Sequence, residues 1–457
     1  DLDADTERAK QKFRIVSDVV KDMRKTDPTR PVCFDSNYLH NKASKRFGDD
    51  FLKTVDDGDI DDNHAYYNWY DYSVFRFFNG EFQKQFKSPG RPLISQEMST
   101  GYPNAETGHP TRSYQLIHQN PYSLIGYEAY DWGNPASFLN TQSFITGELA
   151  ETLRRTNEQA SGIMHFAYMT WFRQCYDHRN IQPYPTYYAM QRAMQPVLVS
   201  AELWGRNLYA GEKLHTRIYV VNDNEEGRDL KPMSLAWSIV DETNKVLASG
   251  TEQFPAVEYY GRKYIEPNIH MPSNLPADKV NVKLKLTLTE SGVTLSQNEY
   301  GLLLARKEWN IGQITADKKV LLLDKDHMKA TLDFLNIACQ TVPSIKELLN
   351  AKQKANLCII SGLKECTDEE ARLLREYQSK GGRILFLNSK EAAQKVYPEY
   401  ITGWIIPTEG DIVVMERNDA PVFDGIGALE LRYFNNNKRE IPLACTATLK
   451  AIRHENV

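Results

Sequence analysis

A chain of 457 residues can hold about three domains of the usual ~100–200 residues each. A formal net charge of −5, with 41% hydrophobic and 25% charged residues, is an ordinary globular balance and excludes the basic footprint of a nucleic-acid binder. No stretch nears the ~18 apolar residues of a membrane span, and the six cysteines (Cys33, Cys175, Cys339, Cys358, Cys366, Cys445), scattered without a C-x-x-C pair, read as buried thiols rather than a disulfide frame or zinc site.

From residue 1 to about 200, strand and helix patterns alternate. The opening DLDADTERAKQ reads as a helix start with no signal peptide before it, and the final ATLKAIRHENV stops just after a strand-like run. The chain is therefore expected to be part of something longer. Residues 5–26 carry Phe13, Val16, Val19, Val20 and Met23 at helical spacing. Strand-like runs follow at PVCFDSN (31–37), at the loop ending DDNHAYYNWY (61–70), at PLISQE (92–97) and at GIMHFAYMTWF (162–172), with a helical stretch at 143–158. Repeated strand–helix units predict a parallel sheet. About four units fit here, whereas a closed (β/α)8 barrel takes roughly 250 residues; half a barrel is expected.

Around residue 196 the texture changes to short alternating strands with turn signals, which predicts an antiparallel sandwich over about 110 residues. From about 311, KVLLLDKD, NLCIISG and RILFLN read as short buried parallel strands of a small doubly wound domain. TDEEARLLREYQSKGG between the last two reads as a helix with Thr367 as N-cap, Glu370 at the capping-box position and Gly381-Gly382 as the stop.

Catalytic groups of a parallel barrel gather where the strands end. The four predicted ends carry Asp35, Ser36 and Asn37; His64, Tyr66, Tyr67 and Trp69; Gln96 and Glu97; and Thr170, Trp171 and Arg173. A carboxylate ringed by Tyr, His and Trp fits glycoside chemistry: it attacks the anomeric carbon, aromatic faces hold the sugar and a tyrosine hydroxyl steadies the carboxylate. The acidic run DDGDIDDNH (56–64) lacks the glycine and the glutamate of a calcium loop and is expected to be a solvated loop. No metal site is expected.

The order RPV-x-F-D-S-N, DDNHAYYNWY, RPLISQE and a strand leading to T-W-F resembles the second half of the catalytic barrel of glycoside hydrolase family 2, and PYPTYYAMQRAMQPVLVSAEL resembles its exit into an immunoglobulin-like domain. The resemblance covers residues 1 to about 305. It implies the C-terminal part of a TIM barrel over 1–196, an immunoglobulin-like β-sandwich over 197–308 and, by likeness to the glutamine-amidotransferase-like domain of some glycosidases, a flavodoxin-like accessory domain over 309–457. It implies Glu97 as nucleophile, His64 and Tyr66 or Tyr67 assisting, and Trp171, Asn37, Asp35 and Trp69 on the substrate side. The acid/base glutamate it implies lies upstream of Asp1; Asn157-Glu158 copies that motif in letters within a helical stretch. A retaining β-glycosidase, β-galactosidase-like as first expectation, follows, acting on a β-glycoside or an oligosaccharide from a polysaccharide. No cofactor is implied. Export to the periplasm or beyond the cell fits the resemblance, and homo-oligomerisation is left open. The competing class is a non-catalytic carbohydrate-binding or scaffold protein on the same architecture; a third reading, an amidase on the last domain, would need Cys358 or Cys366 as nucleophile.

Overall fold

The computed structural model describes residues 7–63, 90–98, 101–111, 125–131, 133–156, 160–310, 319–350, 355–405, 419–427, 430–431 and 448–451. Contacts divide the chain into two units, one built on 1–274, 280–304 and 410–444, the other on 275–279, 305–409 and 445–457.

The first unit opens with helix α1 (Glu7–Thr26), which buries the stripe Ala9, Phe13, Ser17 and Val20. Phe13 sits among Phe34, Tyr38, Phe47 and Phe51, with ring centroids 4.9–6.1 Å away; the last two come from helices α2 (His40–Phe47) and α3 (Asp49–Val55). Val19 and Met23, which share the helical spacing, are 53% and 54% exposed, since at 100° per residue they fall off the stripe of Ala9, Phe13, Ser17 and Val20.

The acidic run is also not the solvated loop expected. Asp61 and Asp62 are 1% and 0% exposed. The buried Asp56 carboxylate accepts from His40 Nδ1 at 2.5 Å, Tyr38 Oη at 2.8 Å and Gly58 N at 3.0 Å, and pairs with Arg91 at 3.1 Å. Asp57 and Asp59 reach back to Lys21 and Arg24 of α1. Charges persist inside a protein when they are paired and hydrogen-bonded, and basic partners on α1 and at Arg91 convert this loop into a pinned junction.

Three parallel strands follow: β1 (Asp61–Asp62), β2 (Leu93–Met98) and β3 (Ala160–His165), in that order across the sheet. A parallel bridge from Cys33 to Ile60 adds the segment at 33 beyond β1. Neighbours in the sheet are therefore neighbours in the chain. The long helix α4 (Pro135–Thr156) and helix α5 (Pro185–Ala193) cover one face, with Leu93 packed among Phe138, Ile145, Leu149, Leu153 and Met190. The strand predicted over 162–172 ends at His165. Thr170 closes a 3-10 turn (Tyr168–Trp171) by donating both its N–H and its hydroxyl to the Ala167 carbonyl, each at 2.8 Å.

Beyond β4 (Phe172–Arg173) and β5 (Gln182–Pro183), the chain forms two larger antiparallel sheets and a short antiparallel pair, β8 (Lys213–Leu214) with β13 (Ile269–His270). One holds β6 (Val197–Glu202), β9 (Arg217–Asn222) and β12 (Arg262–Ile265). The other, in the order β11-β10-β14-β15-β7, is made of Val246–Phe254, Met233–Asp241, Lys279–Glu290, Val293–Ala305 and Asn207–Tyr209. Along β14 burial alternates, with Val282, Leu284, Leu286 and Leu288 inward, as a sheet with one wet face requires. Gly250 lies opposite Trp237, and any Cβ there would stand 2.5 Å from the indole.

In the second unit a parallel sheet runs in the order Gln340–Val342, Val320–Asp324, Leu357–Ser361, Ile384–Leu387. Leu332 of helix Met328–Phe334 packs on one face; helices Ile345–Asn350, Asp368–Ser379 and Lys390–Val396 pack on the other. The capping box of Thr367 and Glu370 forms as expected, and Gly381, at φ 84°, turns the chain out of that helix. Cys358 is in the strand interior with its Sγ 3.4 Å from Tyr377 Oη, and burial raises its pKa; burial also raises that of Cys366. Neither thiol is set up as a nucleophile.

Candidate active site

The sheet of the first unit sends the ends of β1, β2 and β3 to one edge, and Glu97 lies on the last stretch of β2. Against β3 the register is Leu93↔Ala160, Ile94↔Gly162, Ser95↔Ile163 and then Met98↔His165. Gln96 and Glu97 together therefore face a single residue, Met164. Such a bulge bends a strand and re-aims the side chains on it. This kink at the carboxylate is the local feature that periodicity did not foresee. The side chains of residues 95–98 lie outside the described part of the structure, as do His64, Tyr66, Tyr67 and Trp69 entirely.

The chain leaving Glu97 is tied down. Gln142 of α4 donates to the Gly101 carbonyl at 2.9 Å, Tyr184 Oη to the Asn104 carbonyl at 2.8 Å, and Arg173 Nε to the Glu106 carbonyl at 2.7 Å. Pro103 and Pro110 bridge each other across the loop. The Gly-Pro break after the carboxylate is thus a fixed turn, and Arg173 serves it rather than facing a ligand.

At the end of β3, His165 is buried and accepts a hydrogen bond at Nδ1 from Trp171 Nε1 at 2.6 Å. Indole N–H is only a donor, so the imidazole carries its proton on Nε2. Burial pushes its pKa down to about 3 and keeps it neutral. Trp171 itself is half-buried against the α4 core. Ile163 packs against that core as well, whereas Met164, Phe166 and Met169 are exposed. Phe166 meets the ring of Tyr102 edge-on at 6.1 Å. Phe166 and His165 were not singled out from sequence, since both fell inside what read as an uninterrupted strand.

At the opposite side, Asp35 accepts from the Ser36 N–H at 2.8 Å. Asn37, at φ 54°, exposes its side chain and donates its backbone N–H to Asp62 at 2.8 Å. A left-handed backbone suits Asn, and the buried Asp62 at the end of β1 fixes this loop. Burial, and next the charge of Asp62, push the Cys33 thiol up to about 12. For Asp56, burial alone would raise the pKa; hydrogen bonds from His40, Tyr38 and Gly58 and the charge of Arg91 outweigh it and hold the carboxyl below its usual range. Among the described residues no group of three His, Cys, Asp or Glu side chains is placed to hold a metal, and no helix is long and apolar enough to cross a membrane.

No protein-family model matches the chain, and no curated protein sequence matches it. Solved structures that resemble parts of it include glycoside hydrolases. A β-D-mannosidase from Dictyoglomus thermophilum is 16% identical over 63% of this chain and 34% of its own, with a TM-score of 0.38. An exo-chitosanase from Amycolatopsis orientalis is 15% identical over 36% of this chain and 19% of its own, at 0.27. A β-glucuronidase from glycoside hydrolase family 2 is 14% identical over 45% of this chain and 22% of its own, at 0.17. The chain spans between about a fifth and a third of the length of these proteins. At TM-scores of this size the likeness assigns no role to any residue.

Proposed function

We propose that the protein is a retaining β-glycosidase with Glu97 as its nucleophile. In this reading residues 1–196 form the second half of a (β/α)8 barrel, 197–308 an immunoglobulin-like sandwich and 309–457 a flavodoxin-like accessory domain. What carries the proposal is the bulge at Gln96–Glu97 on the edge where parallel strands, adjacent in chain order, all end. Sheets of this kind place their chemistry at that edge. Glu97 would attack the anomeric carbon as the aglycone leaves, and water would then hydrolyse the glycosyl-enzyme, with a second carboxyl about 5–5.5 Å away acting as acid and then base. His64 and Tyr66 or Tyr67 would steady the carboxylate. Asp35, Asn37 and Trp69 would line the substrate side, Phe166 would offer an exposed ring, and Trp171 would back the edge through His165.

The test is covalent. Incubation with 2,4-dinitrophenyl 2-deoxy-2-fluoro-β-glycosides of glucose, galactose and mannose should add one fluoroglycosyl mass to the peptide carrying Glu97, and Glu97→Gln should abolish it. No label from any of the three, or label on another residue, overturns the reading.

A further inference from the structure

Beside β15 and β14 lies an opening that the proposed catalytic edge does not use. Gly301 lies in β15 between two inward residues, Tyr300 and Leu302, so its missing side chain would point outward. A Cβ built there meets nothing within 4 Å. Glycine inside a strand costs order, and it often marks a place where something approaches the backbone closely. Around it is a cavity of about 250 Å³. On one side stand Phe144 of α4 and Arg206, whose guanidinium lies 4.9 Å from the phenyl centroid. On the other stand Asn281, Val282 and Lys283 of β14, with Leu302 next to the glycine, so the lining is largely apolar with a few polar groups at its rim. Glu242, in the turn after β10, accepts from Asn281 Nδ2 at 3.2 Å.

Charge and size narrow the occupant. Arg206 is bonded to Glu148, and Lys283 Nζ lies 2.7 Å from Glu299, so both cations are neutralised and a free anion gains little. At roughly 30 Å³ per water, the space holds about eight waters. It falls just under the usual range of about 300–1,000 Å³ for small-molecule pockets, which suits one six-membered ring and not a chain. A carboxylate, an amide and an ammonium group side by side accept from and donate to adjacent hydroxyls. The flat Phe144–Arg206 wall and the bare strand at Gly301 suit an apolar C–H face.

We propose that this cleft is a second, non-catalytic carbohydrate site that takes a single neutral pyranoside, its C–H face against the Phe144–Arg206 wall and its hydroxyls on Glu242, Asn281 and Lys283. The proposal rests on the glycosidase reading for its choice of ligand class, and on the cavity for its place.

The full chain is tested by saturation-transfer NMR with methyl β-D-glucopyranoside, galactopyranoside and mannopyranoside. At least one should bind with a millimolar dissociation constant and shift the Gly301 amide. Gly301→Leu fills the space and Asn281→Ala removes the amide; each should weaken binding about tenfold or more, with the melting temperature of Asn281→Ala unchanged. Binding by none of the three sugars, or binding that survives both substitutions, overturns the site. Glu97→Gln should keep the cleft's binding, and Gly301→Leu should keep fluoroglycosyl labelling at Glu97. Failure of the label with binding intact defeats the catalytic reading alone, and the reverse defeats the cleft alone.

Discussion

Asp56 and His165 show opposite ways of holding an ionisable group inside the first unit, and each makes a prediction at its own pH. The Asp56 carboxyl is held below its usual range by hydrogen bonds that overcome burial. Its stabilising effect is complete above the unfolded value of about 3.9 and is lost as pH falls through the lower folded value. Asp56→Ala takes the hydrogen-bonded carboxylate away from His40 and leaves Arg91 only Asp61 among the described residues, at 3.7 Å, and should cost about 3 kcal/mol at pH 7 in urea denaturation; the penalty should shrink as the wild type itself weakens in acid. His165 works in the other sense. Below about pH 6.5 the unfolded chain gains a proton that the folded imidazole refuses down to about 3, so its share of stability falls steadily across that window. The ring resonances of His165 should not move between pH 5 and 8, and its nitrogen shifts should report the Nε2–H form; a titration midpoint near 6 would contradict the Trp171 bond. Neither residue was legible beforehand. Asp56 was hidden in an acidic run because its partners, Tyr38, His40 and Arg91, are far along the chain, and no spacing rule links them. Glu97 was legible as a strand-end carboxylate, but the bulge that holds it depends on the register with β3, which sequence alone does not set.

Elements with local signals were read well from sequence, whereas those decided by partners were not. Helix Asp368–Ser379 announced itself through Thr367 and Glu370, and both halves of the capping box form. Thr367→Ala should cost about 1 kcal/mol, visible as a shift in the denaturation midpoint. Helix α4 was also foreseen, but not its function as a rivet. Its Glu151, wholly buried, accepts from Tyr300 Oη at 2.6 Å, Ser200 Oγ at 2.5 Å and Asn298 Nδ2 at 2.9 Å, and pairs with Arg155 at 3.5 Å. Beside it, Glu148 binds Arg206, and Arg154 binds Asp223 at 2.7 Å. These bonds join the helix behind the parallel sheet to both antiparallel sheets. Burial, and next the charge of Glu148, raise the pKa of Glu151. A raised acid favours the fold most at low pH, and the gain is lost as pH climbs through the folded value. Glu151→Ala, which removes the carboxylate beside Arg155 and leaves that buried charge only neutral acceptors at Ser200, Thr152 and Ala201, should cost about 3 kcal/mol. Glu151→Gln, resembling the protonated acid, should cost less and flatten the pH dependence. The sequence shows these charges only as a helix face that would ordinarily be solvated, so the network stayed invisible until the antiparallel strands were placed against it.

At the scale of the molecule, the change of texture near residue 196 and the return of alternation near 311 were legible, because parallel strands buried on both faces read as apolar runs and half-wet antiparallel strands alternate. What the pattern could not show is how the folded contacts partition. The parallel and antiparallel sheets of the first 304 residues fall in one unit, apart from the short run 275–279, and the small parallel sheet falls in another. Cores that share few interactions unfold as separate cooperative blocks, and distant substitutions then act independently. Cys358, with Sγ against Tyr377 in the core of the second unit, is a natural reporter for that block. In a urea series, alkylation of the buried Cys358 should rise at one midpoint, and the partial protection of half-buried Cys33 in the first unit should be lost at its own. Glu151→Ala should move the Cys33 midpoint and leave that of Cys358 in place, while Thr367→Ala should do the opposite. If both cysteines become reactive together in the wild type, and each substitution drags both midpoints along, the chain folds as one cooperative block. The Glu148–Glu151 rivet would then stabilise the whole molecule rather than the unit that contains it.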